Sequence, residues 1–416
     1  MGVRAVKPKV HKGTILIFSQ VYVPDPASVG QHIADVAAEM AARGYRVLVY
    51  TANRGYDDPT QKYPAREMIR GVDVRRLPLS SFGKKSLITR IIGTASFMLQ
   101  AFWRGMFTFN LCGILFSTSP PLIGLVATVL KLFRQIPTAY WAMDLNPDQL
   151  IAMGKLTRDH PLASFLESAN RMVLRNTSLI IALDRFMAAR LNKRGNYANK
   201  MVVIPPWPHE TFVEPLEHDA NPFRKQHGLN GKFVIMYSGN HSPSNPLLTL
   251  LQAAERYKDD QHLCFMFIGG GIGKKEVEQF IATHKLTNSI SLPYQPLEAL
   301  RYSLSAADAH VVSLGENMVG IIHPCKVYGA MTVGRPVLFF GPAPSHIADL
   351  IDNHAFGVHV SHGDVDGAVA AIEWLRQADP AVRSEMGRIG QNILQASLSQ
   401  EILCGRFCDA LEGILR

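Results

Sequence analysis

The stretch TILIFSQVYVPDPASVGQHIADVAAEMAARGYRVLVYTA, residues 14–52, decides the fold. TILIF (14–18) is an unbroken β-branched and apolar run of strand length. The loop SQVYVPDPASVG follows it. In GQHIADVAAEMAAR the residues Ile33, Val36, Ala37 and Met40 share one helical face, and Gly44 supplies the stop. RVLVYTA (46–52) is a second apolar strand. Strands without alternation are covered on both faces, so this unit predicts a parallel sheet with helices on both sides.

The unit recurs along the chain. NLCGILF precedes a helix, TAYWAM (138–143) leads into DLNPD, and SLIIAL (178–183) leads into DRFMAARLNKRG. MVVIPPW (201–207) closes this series, with its consecutive prolines as the expected hinge. A second series begins at FVIMYSG (233–239) and continues through LCFMFIGGG (263–271), AHVVSL (309–314), PVLFFG (336–341) and FGVHV (356–360). At 416 residues the chain exceeds what one core usually supports. The expected layout is an α/β domain over 1–204, a second over 205–390, and a helical tail over 391–416. A cleft between two parallel-sheet domains, at the carboxyl ends of their strands, is the expected site.

Composition narrows the function. Hydrophobic residues make up 47%, as in a globular chain. Five scattered cysteines give no disulfide framework and suggest a reducing compartment. Cys404 and Cys408, four apart, fit one packed helix face. The basic start MGVRAVKPKVHKG has no apolar core of its own before TILIF, which argues against a secretory signal, and Val6 stands where a myristoylation motif wants Ser or Thr. The net charge of +9 is uneven: residues 1–204 hold 27 Lys+Arg against 12 Asp+Glu, and residues 205–416 hold 16 against 22. Between Asp73 and Asp144 there is no acidic residue. Arg75, Arg76, Lys84, Lys85, Arg90, Arg104, Lys131 and Arg134 lie there among apolar residues. Such a mixture suits an anionic membrane face. Nucleic acid is not expected, since no nucleic-acid motif accompanies the charge. The charge-free run from Gly105 to Leu130 is cut by Ser117-Thr118-Ser119-Pro120-Pro121, so it reads as strand, loop and helix and not as a membrane span.

Several residues can carry chemistry. Gly30 opens the first helix, and Gly239 and Gly269 to Gly271 end two strands of the second series, where backbone turns or approaches a ligand. In HPCKVYGAMTVGRPV (323–337), Pro324 starts a helix and Lys326 lies in its first turn. A cation there opposes the helix dipole, and a bound diphosphate would justify it. Asp144 ends the TAYWAM strand and can reach the cleft, as a hydroxyl contact or a base. Asp148 is expected to cap the next segment. Asp364-Val365-Asp366 is a DxD placed just before a helix, so capping is expected over metal binding. His241 and His323 lie beside the cleft loops. Neither GxGxxG, Walker, HExxH nor GxSxG occurs.

Taken together and in order, these pieces resemble the bacterial family-four glycosyltransferases of GT-B fold, in the branch that makes colanic acid, O-antigen and similar surface polysaccharides. The resemblance is carried by YVPDPASVGQHIADVAAEMAARGYRVLVYTA, STSPPLIGL, YWAMDLNPDQLIAMGKL, SLIIALDRFMAARL, DANPFRKQHGL, VIMYSGN, FMFIGGG, LPYQPLEALRYSLSAADAHVVSL and HPCKVYGAMTVGRPVLFFGP. It implies two Rossmann-like domains facing a cleft, with a C-terminal helix returning to the first. It implies retaining, metal-independent transfer of a hexosyl or N-acetylhexosaminyl group from a nucleotide-sugar, a UDP-sugar first among them. The nucleotide-sugar is a substrate, and no cofactor is implied. The acceptor would be polyprenyl-linked or another glycan, met by a cytoplasmic protein peripheral to the membrane. A non-catalytic sugar-nucleotide-binding partner and a nucleotide-sugar epimerase are the alternatives.

The resemblance places Asp144 and Lys326 as catalytic. It places donor contacts at Gly30, Gly239, Asn240, His241, Gly270, Tyr294, His323, Pro324, Cys325, Val327 and Tyr328. Departures from the branch pattern fall on the same loops. Ile321 and Gly329 stand where many relatives have paired glutamates, Cys325 stands at a usual serine, and Asn245-Pro246 stands at a His-Glu pair. Pro206 precedes Trp207 where an asparagine is usual, and Val319-Gly320 lacks an acid.

Overall fold

The computed structural model describes residues 11–25, 27–55, 58, 60–80, 87–209 and 216–415. The basic start through residue 10, with Val6, and the lysines Lys84 and Lys85 lie outside the described residues.

Among the described residues, fourteen strands fall into two sheets. The first contains β1 (Thr14–Phe18), β2 (Arg46–Ala52), β3 (Arg66–Ile69), β4 (Val72–Leu77), β5 (Leu111–Ser117), β6 (Thr138–Trp141), β7 (Leu179–Ala182) and β8 (Met201–Val203). Its order is β3-β4-β2-β1-β5-β6-β7-β8, parallel except for the antiparallel β3–β4 edge. The second contains β9 (Phe233–Ser238), β10 (Leu263–Ile268), β11 (Ser289–Leu292), β12 (Ala309–Ser313), β13 (Val337–Phe340) and β14 (Gly357–Val360). Its order is β11-β10-β9-β12-β13-β14, and every pairing is parallel.

Both faces of the first sheet are covered, which is why its strands are apolar throughout. Leu16 and Phe18 turn to one side, where they pack with Phe97 of helix α2 (Leu87–Met106) and Leu130 of helix α3 (Ile123–Arg134). Ile15 and Ile17 turn to the other, toward helix α1 (Ser28–Ala42) and the tail helix Gln400–Glu412. The charge-free run is indeed β5, a loop and α3, and no described helix is long and apolar enough to cross a membrane.

The tail helix packs back on the first domain. Phe407 meets Trp141 with ring centroids 4.4 Å apart, and Arg43 binds Asp409 at 2.6 Å and Glu412 at 3.0 Å. Cys404 and Cys408 are both buried in that helix's packed face.

The expected hinge needs a correction. Past Pro205 and Pro206 the chain stays pinned to α1. Trp207 donates from Nε1 to Asp35 at 3.0 Å, and its carbonyl lies 2.8 Å from Nε2 of the buried His32. His209 reaches the same cluster. The described chain therefore stays with the first domain through His209, past the prolines.

Candidate active site

The carboxyl ends of β9 and β10 build one wall. β9 is followed by Gly239, Asn240 and His241, and β10 by Gly269, Gly270 and Gly271. Gly239 has φ +138° and Gly269 φ +135°, left-handed conformations that favour glycine. Their approach is also too close for a side chain: a Cβ on Gly239 would overlap Cε of Lys326, and one on Gly269 would overlap the carbonyl of Gly239. Gly270 sits under the ring of the exposed Tyr294.

Lys326 is the first residue of the short helix Lys326–Thr332. Its Nζ donates to the Tyr237 hydroxyl at 2.8 Å and to the Asn240 carbonyl at 3.2 Å. These partners are neutral, and burial pushes the ammonium down to about 8. A buried cation with no carboxylate partner among the described residues can pair with an anion. Beside it, the buried His241 has neither ring nitrogen hydrogen-bonded, and its ring lies edge-on to Tyr237 at 5.0 Å. Buried polar groups normally find partners, so this imidazole is an open donor or acceptor at the same wall.

The first domain supplies the facing wall. Asp144 follows β6, and its backbone N–H points to Thr118 Oγ1 at 3.4 Å. Burial raises its carboxyl to about 6. It borders a cavity of about 60 Å³ between α3 and the helix Pro161–Asn176, lined by Phe116, Leu122, Tyr140, Leu166 and Val173. The next residue ties the walls together: Leu145 N–H donates to the Ile321 carbonyl at 3.0 Å.

Three more contacts join the domains. Arg190 donates to the Val319 carbonyl at 3.1 Å. Arg185 binds Asp349 through two hydrogen bonds, at 2.6 and 2.8 Å. Asp184 accepts from the Met187 N–H through Oδ1 and meets His323 Nδ1 through Oδ2 at 3.0 Å. His323 Nε2 pairs with the Tyr328 hydroxyl at 2.8 Å, and that hydroxyl reaches His346 at 3.4 Å. The segment 319–321, which departs from the branch pattern, is thus a domain contact. A Cβ on Gly320 would overlap the Phe186 backbone.

The expected residues therefore separate. Gly239, Asn240, His241, Gly270, Tyr294 and Lys326 gather at one wall, and Asp144 lies in the first domain, one residue before the Leu145–Ile321 contact. His323 and Tyr328 are buried, with their polar atoms committed to the domain interface and not presented to the cleft. Val327 is core, and the Cys325 thiol turns back to the His323 carbonyl at 3.4 Å. Gly30 lets α1 approach Val21 and Tyr22, where a Cβ would come within 3.1 Å of the backbone. Asp148 is not a cap: its carboxylate binds Arg190 and Arg194. Asp364 is a cap, accepting from Gly367 N–H at 2.8 Å, and Asp366 points to solvent near Arg256. No cluster of three metal-ligating side chains occurs among the described residues. Asp184, Tyr237 and His346 escaped sequence reasoning. Their roles come from tertiary partners, although Asp184 directly before a helix was a visible capping signal.

Two facing parallel-sheet domains with this cleft define the GT-B class. Residues 28–207 match the glycosyl transferase 4-like domain, and residues 232–378 match glycosyl transferases group 1. A protein of Escherichia coli (strain K12), named as the colanic acid biosynthesis glycosyl transferase WcaI, is 24% identical over 417 residues, 96% of this chain and 100% of the relative. Among solved structures, sucrose-phosphate synthase from Thermosynechococcus elongatus superposes with a TM-score of 0.76 at 17% identity, covering 97% of this chain and 99% of its own. Anabaena HepE in complex with UDP-glucose gives 0.72 at 16% identity, covering 96% and 100%. The chain belongs to the bacterial family-four glycosyltransferases.

Proposed function

We propose that the protein moves a sugar from a nucleotide-sugar, a UDP-sugar first, to a polyprenyl-linked or other glycan acceptor in surface polysaccharide synthesis, with retention and without a metal. The observation that carries this reading is Lys326. Its ammonium is held between Tyr237 and Asn240 with no carboxylate partner among the described residues, where a donor diphosphate would complete it. In transfer the ammonium would offset charge growing on the leaving diphosphate. That leaving phosphate would take the acceptor proton from the same face, so Asp144 serves as a sugar or acceptor contact. His241 would supply a hydrogen bond to the bound donor. The likeness to a structure solved with UDP-glucose supports the choice of base.

The acceptor side supports a peripheral place on the membrane. α2 carries Ile91, Leu99 and Trp103 outward at helical spacing, each more than half exposed, and Leu132 and Phe133 of α3 extend the surface. Arg90 and Arg104 border it. Three of the cations in this region are spent inside the fold: Arg76 on Glu67 and two carbonyls, Lys131 on the Asn176 carbonyl, and Arg134 on the carbonyls that end α2. A run of exposed apolar side chains such as this fits an interaction surface.

The test is a thermal-shift screen with UDP, GDP, dTDP and their sugars, with and without magnesium. One nucleotide should stabilise the protein equally in both conditions, because ligand binding to the folded state raises its stability. No shift with any nucleotide would overturn the donor reading, and a shift that needs magnesium would overturn the metal-free one.

A further inference from the structure

We propose that a pocket at the end of α2 binds the phosphate of an anionic phospholipid headgroup, with the aromatic residues around it entering the membrane interface. The proposal rests on the membrane-surface reading above and adds a defined site to it. The pocket is an open cavity of about 440 Å³, lined by Arg46 and Tyr50 of β2, Arg75 of β4, and Arg104, Trp103 and Phe107 at the end of α2.

Charge is the first argument. Asp73 binds Arg66 at 2.9 Å and Arg75 at 2.9 Å, with Arg46 at 3.6 Å. Arg104 meets the Gln100 amide oxygen at 3.0 Å and lies over the Tyr50 ring at 5.9 Å. Three guanidinium groups therefore share the one carboxylate of Asp73, and Arg104 adds a fourth cation that has no carboxylate partner among the described residues. Gathered cations with spare donors are stabilised by an added anion, and guanidinium forks match phosphate.

The rim says which anion. Trp103, Phe107 and Phe109 are 54%, 78% and 84% exposed. Trp103 and Phe107 lie nearly parallel, at 8° and 6.2 Å. Arg134 fastens α3 to the end of α2 through the Gly105 and Thr108 carbonyls, which sets Leu132 and Phe133 beside this rim. Aromatic and aliphatic side chains around a basic pocket fit a headgroup over acyl chains. A nucleic acid would instead ask for a basic track along its backbone.

The pocket is separate from the cleft. α2 enters from the carboxyl end of β4 and returns the chain to the start of β5. A helix of 20 residues is about 30 Å long, so the pocket and the cleft lie at opposite ends of α2. An outer stripe lying in the interface would then fix the angle at which the cleft meets the membrane.

The experiment is flotation of the full chain with phosphatidylcholine vesicles, with and without phosphatidylglycerol. The pair Arg46→Gln/Arg104→Gln is compared with Arg90→Gln/Arg158→Gln, which removes the same charge outside the pocket lining, from the α2 surface and from the exposed turn before the helix Pro161–Asn176. Nucleotide-induced thermal shift serves as the folding control for both. The wild type should float only with phosphatidylglycerol present. The pocket pair should lose roughly 30-fold in partitioning, about the effect of two fully engaged cations, and the control pair much less. Equal losses in the two pairs would overturn the pocket and leave the membrane reading standing. A wild type that floats with neither vesicle would overturn the membrane reading, and the pocket with it. If inorganic phosphate or a single-stranded oligonucleotide binds the wild type but not the pocket pair, while flotation is unchanged, the lipid assignment is overturned.

Discussion

At the scale of single residues, Lys326 joins fold to function. It sits at the start of a helix, where the dipole disfavours a cation, and burial disfavours the charge again. On the proposed reading a bound diphosphate would offset both costs, and a pH dependence follows. The group is neutral above about 8 in the free protein, and a bound anion favours its protonated form. Nucleotide affinity should be flat below pH 8 and then fall by up to about tenfold per pH unit, as read by calorimetry. Lys326→Ala should remove that dependence and weaken binding by roughly 10- to 100-fold, the effect of losing a charge-assisted hydrogen bond. An unchanged affinity in the variant would remove Lys326 from the donor site. For folding the sign runs the other way: the unfolded chain binds this proton more tightly, so from this group alone stability rises between about pH 8 and 10.5.

At the scale of elements, the tail helix shows which contacts matter. Two kinds of contact hold it to the first domain. One is the surface ion pairs of Arg43 with Asp409 and Glu412 and of Lys12 with Glu412. The other is Phe407, fully buried against Trp141, which itself stacks on Trp207 at 5.8 Å. Exposed ion pairs contribute at most about 1 kcal/mol, whereas Phe→Ala in a core costs about 3–5 kcal/mol. Phe407→Ala should therefore lower the urea midpoint far more than Arg43→Ala does, and comparable losses would refute this ranking.

The same contrast explains what was legible in the sequence. TILIF and SLIIAL announced buried strands because both their faces are covered. REMI and VDVRRL gave no such signal: they form the antiparallel edge pair β3–β4, whose arginines and acids pair with one another. α2 was hidden for the opposite reason. It is apolar toward the core at Phe97 and Ala101 and also exposes Leu99 and Trp103 to solvent, which blurs the edge of its apolar stripe without abolishing it. Lys326 could be found because Pro324 marks its helix. The commitment of His323 to Asp184 could not, because those residues are 139 positions apart.

At the scale of the whole molecule, buried histidines govern the response to acid. The domains meet at the chain Asp184–His323–Tyr328–His346 and at the Arg185–Asp349 pair. Burial, with His323 adding to it, pushes His346 down to about 3. Burial also lowers His32, in the linker cluster, and His310, within the second sheet, to about 4. The unfolded chain protonates all three near 6.5. Below that pH the unfolded state binds more protons, and stability falls as pH falls. Asp144 acts oppositely between about pH 4 and 6, because its raised carboxyl takes a proton in the folded state first. From these four groups alone the balance is about two extra protons on the unfolded chain, or roughly 3 kcal/mol lost per pH unit between pH 6 and 5. Urea midpoints measured across this interval should fall accordingly. His310 accounts for one of those protons, and its Nε2 bonds to the Leu304 carbonyl at 2.9 Å, outside the interface chain. His310→Gln should flatten the slope by about one proton without moving donor affinity. A slope unchanged by that substitution would mean that His310 keeps its proton in the folded protein, bonded through Nε2 to Leu304, and that acid acts elsewhere.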